Sequence, residues 1–337
     1  MKYEFFIGCD VSKATLNFSV RTRTGILKDE QIENSVKAVR KFLEHLRKLE
    51  GFRANSVLFC MEHTGVYNNH LLKVLQQAKI GVCVAHAAEI KLSVGVQRGK
   101  DDIVDARRIS EYAMRFEDKL NLWTPARKVI QELQALTTLR ERLIKSKVQL
   151  ETPLEEEGEF MEEEIFNELV RHNASAVEGV KKAIANIEAK IDTLVDQDDD
   201  LRKMKEQITS IPGVGKTTAI DVIIETNEFK DFNDPRKFAC HAGVAPFPHT
   251  SGSSVRGRSK VSHRANKRLK TLFHLCAMSA IRFNQSLKDY FTRKVAEGKN
   301  KMSVINAVRN KIIHIIFALI RNQTTYSKKA NIDLVPS

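Results

Sequence analysis

A chain of 337 residues, 42% of them hydrophobic, carries enough apolar material for two or three globular domains with sizeable cores. Its 55 Lys and Arg against 42 Asp and Glu leave a net charge of +13 and a pI near 9.5, which favours nucleic acid as a partner. A membrane is the poorer choice, because no apolar stretch reads as approaching the ~20 residues a spanning helix needs and Met1-Lys2-Tyr3-Glu4 does not begin a signal peptide.

In chain order, Tyr3 to Asp10 is a β-rich run with Asp10 at its tip, and Ala14 to Arg21 alternates apolar and polar residues as a paired strand does. A helix is expected around Ser35 to Leu49. Ser56 to Met61 is a short apolar run of the kind covered on both faces of a sheet, and Glu62 stands at its end. A helix around Val66 to Gln77 and a strand from Gly81 to Ala85 follow. Lys100-Asp-Asp-Ile-Val-Asp-Ala106 then opens a helix in which Asp102 and Asp105, three apart, share a face. Alternating strands and helices over residues 1–125 predict an α/β domain with a mixed sheet. Five cysteines, Cys9, Cys60, Cys83, Cys240 and Cys276, form no CxxC pair and read as reduced core residues of a cytoplasmic protein.

Asp10, Glu62, Asp102 and Asp105 can thus converge from three elements. Carboxylates gathered closely repel unless a proton or cation lies between them, and hard oxygen donors suit Mg²⁺ or Mn²⁺. Two such ions can stabilise both the attacking and the leaving oxygen of a phosphoryl displacement. Each carboxylate alone also fits a solvated strand or helix end.

From Ala126 the period becomes helical. Val129, Leu136, Leu139, Leu143 and Leu150 approach a heptad series, and Val180, Ile184, Ile187, Ile191, Leu194 and Leu201 keep one, with Asp198 interrupting. Two long helices over 126–206 are expected as a coiled-coil hairpin, packed on each other or on another copy. The acidic stretch Glu155 to Glu164 between them reads as a solvated turn or helix start. Ser210-Ile-Pro-Gly-Val-Gly-Lys-Thr-Thr218 lacks the first glycine of a phosphate loop, since Ser210 stands there. It reads instead as a helix-hairpin-helix in which Gly213, Gly215 and Lys216 approach a DNA phosphate, or as a plain turn between helices.

After Asp234 the charge is one-sided until Asp289, with Arg256, Arg258, Lys260, Arg264, Lys267 and Arg268 expected on a phosphate backbone. Within that run, Pro246-Phe-Pro-His-Thr-Ser-Gly-Ser-Ser-Val-Arg-Gly-Arg258 is a stretch of small hydroxyl residues flanked by arginines. It fits a flexible loop, or a hydroxyl nucleophile held among cations.

The succession Gly8-Cys-Asp-Val-Ser-Lys13, Glu62-His-Thr-Gly65, Lys100 to Ala106, Ile211-Pro-Gly-Val-Gly215, Phe238 to Pro246 and Ser251-Gly-Ser-Ser-Val-Arg-Gly257 closely resembles the DEDD transposases of bacterial insertion sequences. These are relatives of the Piv and MooV invertases and include the bridge-RNA-guided recombinases. The resemblance covers nearly the whole chain. It implies a RuvC-like, RNase H-type α/β domain at 1–125, a helical coiled-coil insertion at 126–206 and a mainly α C-terminal transposase domain at 207–337. It also implies a metal site at Asp10, Glu62, Asp102 and Asp105, and Ser251 as the nucleophile that forms a 5′-phosphoserine link with DNA.

Expected partners are double-stranded DNA at element ends and target, a guide RNA, and further copies of the chain, from dimer to tetramer. Asp101 stands where such proteins usually carry Thr or Ser, and its side chain is about 100° from that of Asp102 on a helix, which favours Asp102 and Asp105 as ligands. Ser253, Ser254 and Thr250 are further hydroxyls close to Ser251. Other readings are a junction-resolving nuclease that uses metal-activated water, and a nucleic-acid-binding protein without chemistry.

Overall fold

Side chains of a strand alternate between faces, and in Phe5–Val11 both sets are apolar, so this strand needs cover on both sides. In the computed structural model it is the central strand, β1, of a five-stranded sheet. The residues described are 3–93, 101–251, 255–261 and 265–327, with the backbone alone at 88, 247–251 and 255–261. They fall into two compact units, Met1–Pro125 and Ala126–Ser337.

In the first unit β2 (Thr15–Arg21) and β3 (Ile26–Glu33) follow β1 as an antiparallel meander. β4 (Val57–Glu62) and β5 (Gly81–Ala85) add in parallel on the other side, giving the order β3-β2-β1-β4-β5. The helix α1 (Val36–Leu46), capped by Ser35, and α2 (Asn69–Gln77) cover one face, where Phe18 and Phe42 stack at 4.1 Å. The short α3 (Ala87–Ser93) and α4 (Asp102–Arg115) follow, and Ile109, Tyr112 and Ala113 of α4 cover the other face with Phe6, Leu58 and Cys60. Asp101, whose side chain accepts from the Ile103 backbone N–H at 3.0 Å, is the N-cap of α4 and not a member of its first turn.

The sequence reading missed β3. Of its eight residues, Ile-Leu-Lys-Asp-Glu-Gln-Ile-Glu, four are charged and most are exposed because β3 is an edge strand, held by backbone pairing to β2 and protected by charge from pairing further. Two helix boundaries also move. α1 ends at Leu46 instead of Leu49, and the stretch from Val66 begins as a 3₁₀ turn at Gly65–Asn68 before α2 starts.

In the second unit α5 (Lys128–Glu157) and α6 (Glu163–Asp196) run antiparallel, tied by Arg140 Nε to Glu188 at 2.7 Å and by Lys181 to Glu151 at 2.9 Å. The acidic stretch supplies the hairpin tip, a 3₁₀ turn at Gly158–Phe160. The heptad series does not run through to Leu201. α6 stops at Asp196, and Asp198 starts α7 (Asp199–Thr209) by accepting from the Leu201 backbone N–H at 3.1 Å. Arg127 holds that cap, donating to both Asp198 oxygens at 2.7 and 3.1 Å. Asp198 therefore breaks the helix as an N-cap rather than interrupting a seam.

α8 (Lys216–Glu225) and α9 (Pro235–His241) lead into an antiparallel hairpin of β6 (Pro246–Ser251) and β7 (Val255–Val261), which pairs Ser251 with Val255. The segment that fits a flexible loop by composition is thus strand up to Ser251, and Gly252, Ser253 and Ser254 lie outside the described residues. α10 (Lys267–Phe283), α11 (Gln285–Ala296) and α12 (Lys301–Asn322) complete the unit. By length and composition α12 could cross a bilayer, which corrects the expectation that nothing approaches that length. Most of it is buried instead, with Val308, Ile312, Ile313 and Ile316 in the core beside Phe238 and Phe273.

Candidate active site

Position parity decides which way the strand-end carboxylates face. Asp10 follows Phe6 and Gly8 at intervals of two, Glu62 follows Leu58 and Cys60, and Phe6, Leu58 and Cys60 all pack on the α4 side. The parallel register pairs Cys9 with Met61, so Asp10 and Glu62 come next, side by side at the same sheet end. α4 brings Asp102 and Asp105 to that face in its first turn.

The approach of α4 depends on Gly8, which Asp10 follows by one same-face step. A Cβ on Gly8 would lie 2.1 Å from the Ala106 carbonyl oxygen and 2.3 Å from the Ser110 nitrogen. The helix backbone rests on the strand where a side chain would otherwise stand.

Electrostatics reflects the convergence. Asp10 is raised from 3.8 to about 6, chiefly by burial and then by the charges of Asp102, Asp105 and Glu62. Glu62 is raised by burial and Asp105, with His86 pulling the other way. Asp105 accepts from Arg108 at 2.7 Å. Among the described residues no three His, Cys, Asp or Glu side chains are close enough to hold one ion. Asp10 feels the charge of the other three and Glu62 that of Asp105, without the four standing close enough to enclose an ion. Their chemistry still fits a hard divalent cation, since the donors are all oxygen and the charge that lifts Asp10 is what such a cation would relieve.

Asn68 is a residue the sequence did not single out. It is buried, donates to the Glu62 carbonyl at 2.7 Å and accepts from the Thr64 N–H at 3.3 Å, fixing the turn that leaves β4. Its one legible signal is an Asn just before a helix, which reads as an ordinary cap.

The expected nucleic-acid contacts divide. Arg256, Arg258 and Lys260 occupy alternate positions of β7, and Arg264 lies outside the described residues. Lys267 is exposed in the first turn of α10. Gly215 is the exposed N-cap of α8, and Lys216 beside it makes an exposed ion pair with Asp192 at 2.8 Å. Gly213 serves packing. It has φ +98°, and a Cβ there would meet the Ala280 nitrogen at 2.4 Å, so its glycine is what admits α10.

Arg268 is a correction. Instead of standing free it donates through Nε and Nη2 to Asp221, whose side chain is 5% exposed, at 3.0 and 2.7 Å, and it also pairs with Glu141. Asp221→Ala is expected to cost about 2–3 kcal/mol of unfolding free energy, below the usual loss for a broken buried pair because Glu141 remains. Urea denaturation of the two proteins measures it, and equal midpoints would return Arg268 to the pool of free cations.

A cation pair beyond the expected run lies on α11 and α12. Lys311 sits 4.5 Å over the Tyr290 ring and the Arg293 guanidinium 5.9 Å from the same ring. Burial, then Arg293 and Lys294, push the Lys311 amine down. Sequence offers no sign of it, since Arg293 and Lys311 belong to different helices.

Residues 7–156 match a family model described as "Transposase", of the DEDD type of IS110 elements, and residues 205–292 match "Transposase IS116/IS110/IS902 family". The chain is 22% identical over 271 residues to the pilin gene-inverting protein of Moraxella bovis, covering 80% of this chain and 78% of that one. It is 27% identical over 261 residues to the transposase for insertion sequence element IS1111A of Coxiella burnetii, covering 68% and 69%. With the uncharacterized 43.6 kDa protein of insertion element IS110 from Streptomyces coelicolor it shares 26% identity over 156 residues, 46% of this chain and 37% of that one.

Proposed function

Since this chain belongs to the IS110-type DEDD transposases and is a DNA transposase or recombinase, we propose that it cuts and rejoins DNA through Ser251, with a Mg²⁺ site at Asp10, Glu62, Asp102 and Asp105. The observation that carries this reading is the approach of the four carboxylates at one sheet end, where burial first and then the charges of Asp102, Asp105 and Glu62 raise Asp10 to about 6. The sheet order β3-β2-β1-β4-β5, with only β2 antiparallel to β1, supports an RNase H-like, RuvC-like reading of residues 1–125.

The Ser251 oxygen would attack a phosphodiester, forming the Ser–O–P bond as the P–O3′ bond breaks. The serine proton leaves and the departing strand end takes one up as its 3′-hydroxyl. Rejoining is the reverse, with a 3′-hydroxyl attacking the phosphoserine and restoring Ser251. One phosphate ester is exchanged for another, so no external energy source is needed. Bound Mg²⁺ would supply charge stabilisation to the phosphoryl oxygens and a lowered proton affinity at the attacking oxygen. Gly215, Lys216, Arg256, Arg258, Lys260, Arg264 and Lys267 would meet phosphates, giving binding that falls steeply with salt.

A guide RNA is proposed on the resemblance and on the net charge of +13. Self-association, as dimer or tetramer, is supported by exposed apolar residues near the tip of the α5–α6 hairpin, including Phe160, Ile165 and Leu169, and sedimentation over a range of protein concentrations checks it.

The test is a denaturing gel of protein incubated with Mg²⁺ and junction DNA, with and without RNA transcribed from the element's flanks. Wild type should give a covalent protein–DNA adduct and Ser251→Ala none, with the RNA arm deciding guide dependence. DNA cleavage that survives in Ser251→Ala without an adduct would replace the serine by metal-activated water.

A further inference from the structure

β2 turns two unlike faces to the first unit. Leu16, Phe18 and Val20 pack into the core beneath α1 and α2, so Asn17, Ser19 and Arg21 face α4, and the Arg21 guanidinium stands 3.9 Å from Glu111 of that helix. Asn17 is 1% exposed and Ser19 is fully buried, yet neither Asn17 Nδ2, Asn17 Oδ1 nor Ser19 Oγ has a hydrogen-bond partner. Among the described residues Asn17 alone has both polar atoms of its side chain buried and unpaired. An amide taken out of water unpaired opposes folding, and an apolar residue would fill the place at less cost.

The strand register points to what the amide is for. Antiparallel pairing sets Asn17 directly across from Asp10, and Ser19 across from Gly8. Residues opposite one another in such a pair share a face, with Cβ atoms about 4.5–5.5 Å apart, a span that an asparagine and an aspartate close with a single hydrogen bond. Asp10 is half-buried on this face, at the sheet end where α4 brings Asp102 and Asp105. Three other carboxylates already act on it. A further carboxylate at position 17 would add to the repulsion, and a lysine or arginine there would compete with a divalent cation for Asp10. A neutral amide does neither, since it donates to one carboxylate oxygen and leaves the other for the cation.

We propose that Asn17 is a positioning residue of the carboxylate site, donating from Nδ2 to the Asp10 carboxylate and so fixing the oxygen that Asp10 presents to a divalent cation. The inference rests on the Mg²⁺ reading of Asp10, Glu62, Asp102 and Asp105 and adds to it a residue that holds no metal itself. Its Oδ1 is left to accept from water, several molecules of which Mg²⁺ ordinarily retains. Removing a partner of this kind from behind a metal ligand commonly weakens metal affinity about 10–100-fold.

Calorimetric titration of Mg²⁺ into the full chain without nucleic acid gives the affinity, and parallel thermal melts give the stability. Asn17→Leu should melt at or above wild type without Mg²⁺, because an unpaired buried amide has been replaced by an apolar group. It should nevertheless bind Mg²⁺ about 10–100-fold more weakly. Asn17→Ala, which cannot overpack the site, should show the same weakened binding. Ser19→Ala removes the neighbouring unpaired hydroxyl, which lies opposite a glycine instead of a carboxylate, and should bind as wild type does.

Wild-type Mg²⁺ affinity in both Asn17 variants would overturn this inference alone, leaving the carboxylates as the metal site and Asn17 as a buried amide with a water for a partner. An equal loss in Ser19→Ala would overturn it too, because the effect would then come from disturbing β2 in general. If wild type binds no Mg²⁺, or Asp10→Asn binds it as wild type does, the metal reading falls and this inference with it. Absence of a protein–DNA adduct, with Mg²⁺ bound and the Asn17 effect intact, would count against the serine chemistry alone.

Discussion

Asp10→Asn should abolish adduct formation and at the same time make the metal-free protein more stable. The activity loss follows from removing the carboxylate that feels the charge of the other three; electrostatic stabilisation by a bound metal is worth several kcal/mol, so a fall of about a thousandfold or more is expected. The stability gain follows from the proton. Asp10 binds it more tightly folded, at about 6, than at its ordinary 3.8. A carboxyl raised in this way gives stability that is fully present below about pH 4 and is lost as pH rises through about 6. In metal-free buffer wild type should therefore lose stability across that window and Asp10→Asn should lose less. The difference above pH 6 should be about 1 kcal/mol, the full shift being discounted for the solvent that reaches a half-buried group. Adding Mg²⁺ should reverse the ranking, raising the wild-type melting temperature and leaving the variant nearly unmoved. Parallel melts at about pH 4.5 and about pH 7, with and without Mg²⁺, give all the comparisons, and a variant that melts below wild type in metal-free neutral buffer would mean that the carboxylates do not oppose one another.

Gly8→Ala carries the largest expected structural effect. The added methyl would meet backbone atoms of α4, the Ala106 oxygen at 2.1 Å and the Ser110 nitrogen at 2.3 Å, and backbone cannot rotate aside. The helix must lift or the strand must bend, at a cost of about 3 kcal/mol, the upper part of the range for overpacked sites. Since α4 carries Asp102 and Asp105, lifting it also separates those charges from Asp10. NMR titration of the Asp10 carboxyl in metal-free protein tells the two consequences apart. In the variant its midpoint should fall from about 6 toward its ordinary range, a change that loss of stability alone would not produce. An unchanged midpoint with lowered stability would leave Gly8 as a packing residue only.

How much of this was legible in the sequence follows from which interactions are local. Asp10 and Glu62 can be placed at strand ends because each closes an apolar run, and Asp102 and Asp105 share a face because helix geometry is set within one turn. The cover of β1 by α4, on which their meeting depends, is visible in sequence only as a glycine two residues before an aspartate. β3 escaped notice because an edge strand is specified by its partner's backbone and not by its own apolar pattern. Arg268 read as a free cation because its acid, Asp221, lies one helix and a hairpin earlier in the chain. The heptad count ran on to Leu201 because apolar spacing registers no break at a capping aspartate, although Asp198 followed by two further acidic residues is itself a helix-start signal.

The burial of α12 also has a bearing on timing. Residues 1–125 form a unit from contiguous chain, whereas the core of the second unit lacks its central apolar helix until Lys301–Asn322 has been made. At about 5–20 residues per second of synthesis, the first unit can settle many seconds before the helices of the second have their central partner. A chain cut short within its last stretch would keep the acidic residues of the first unit in place while the second unit lacked its central helix, so an intact α12 decides whether both units are folded in one molecule.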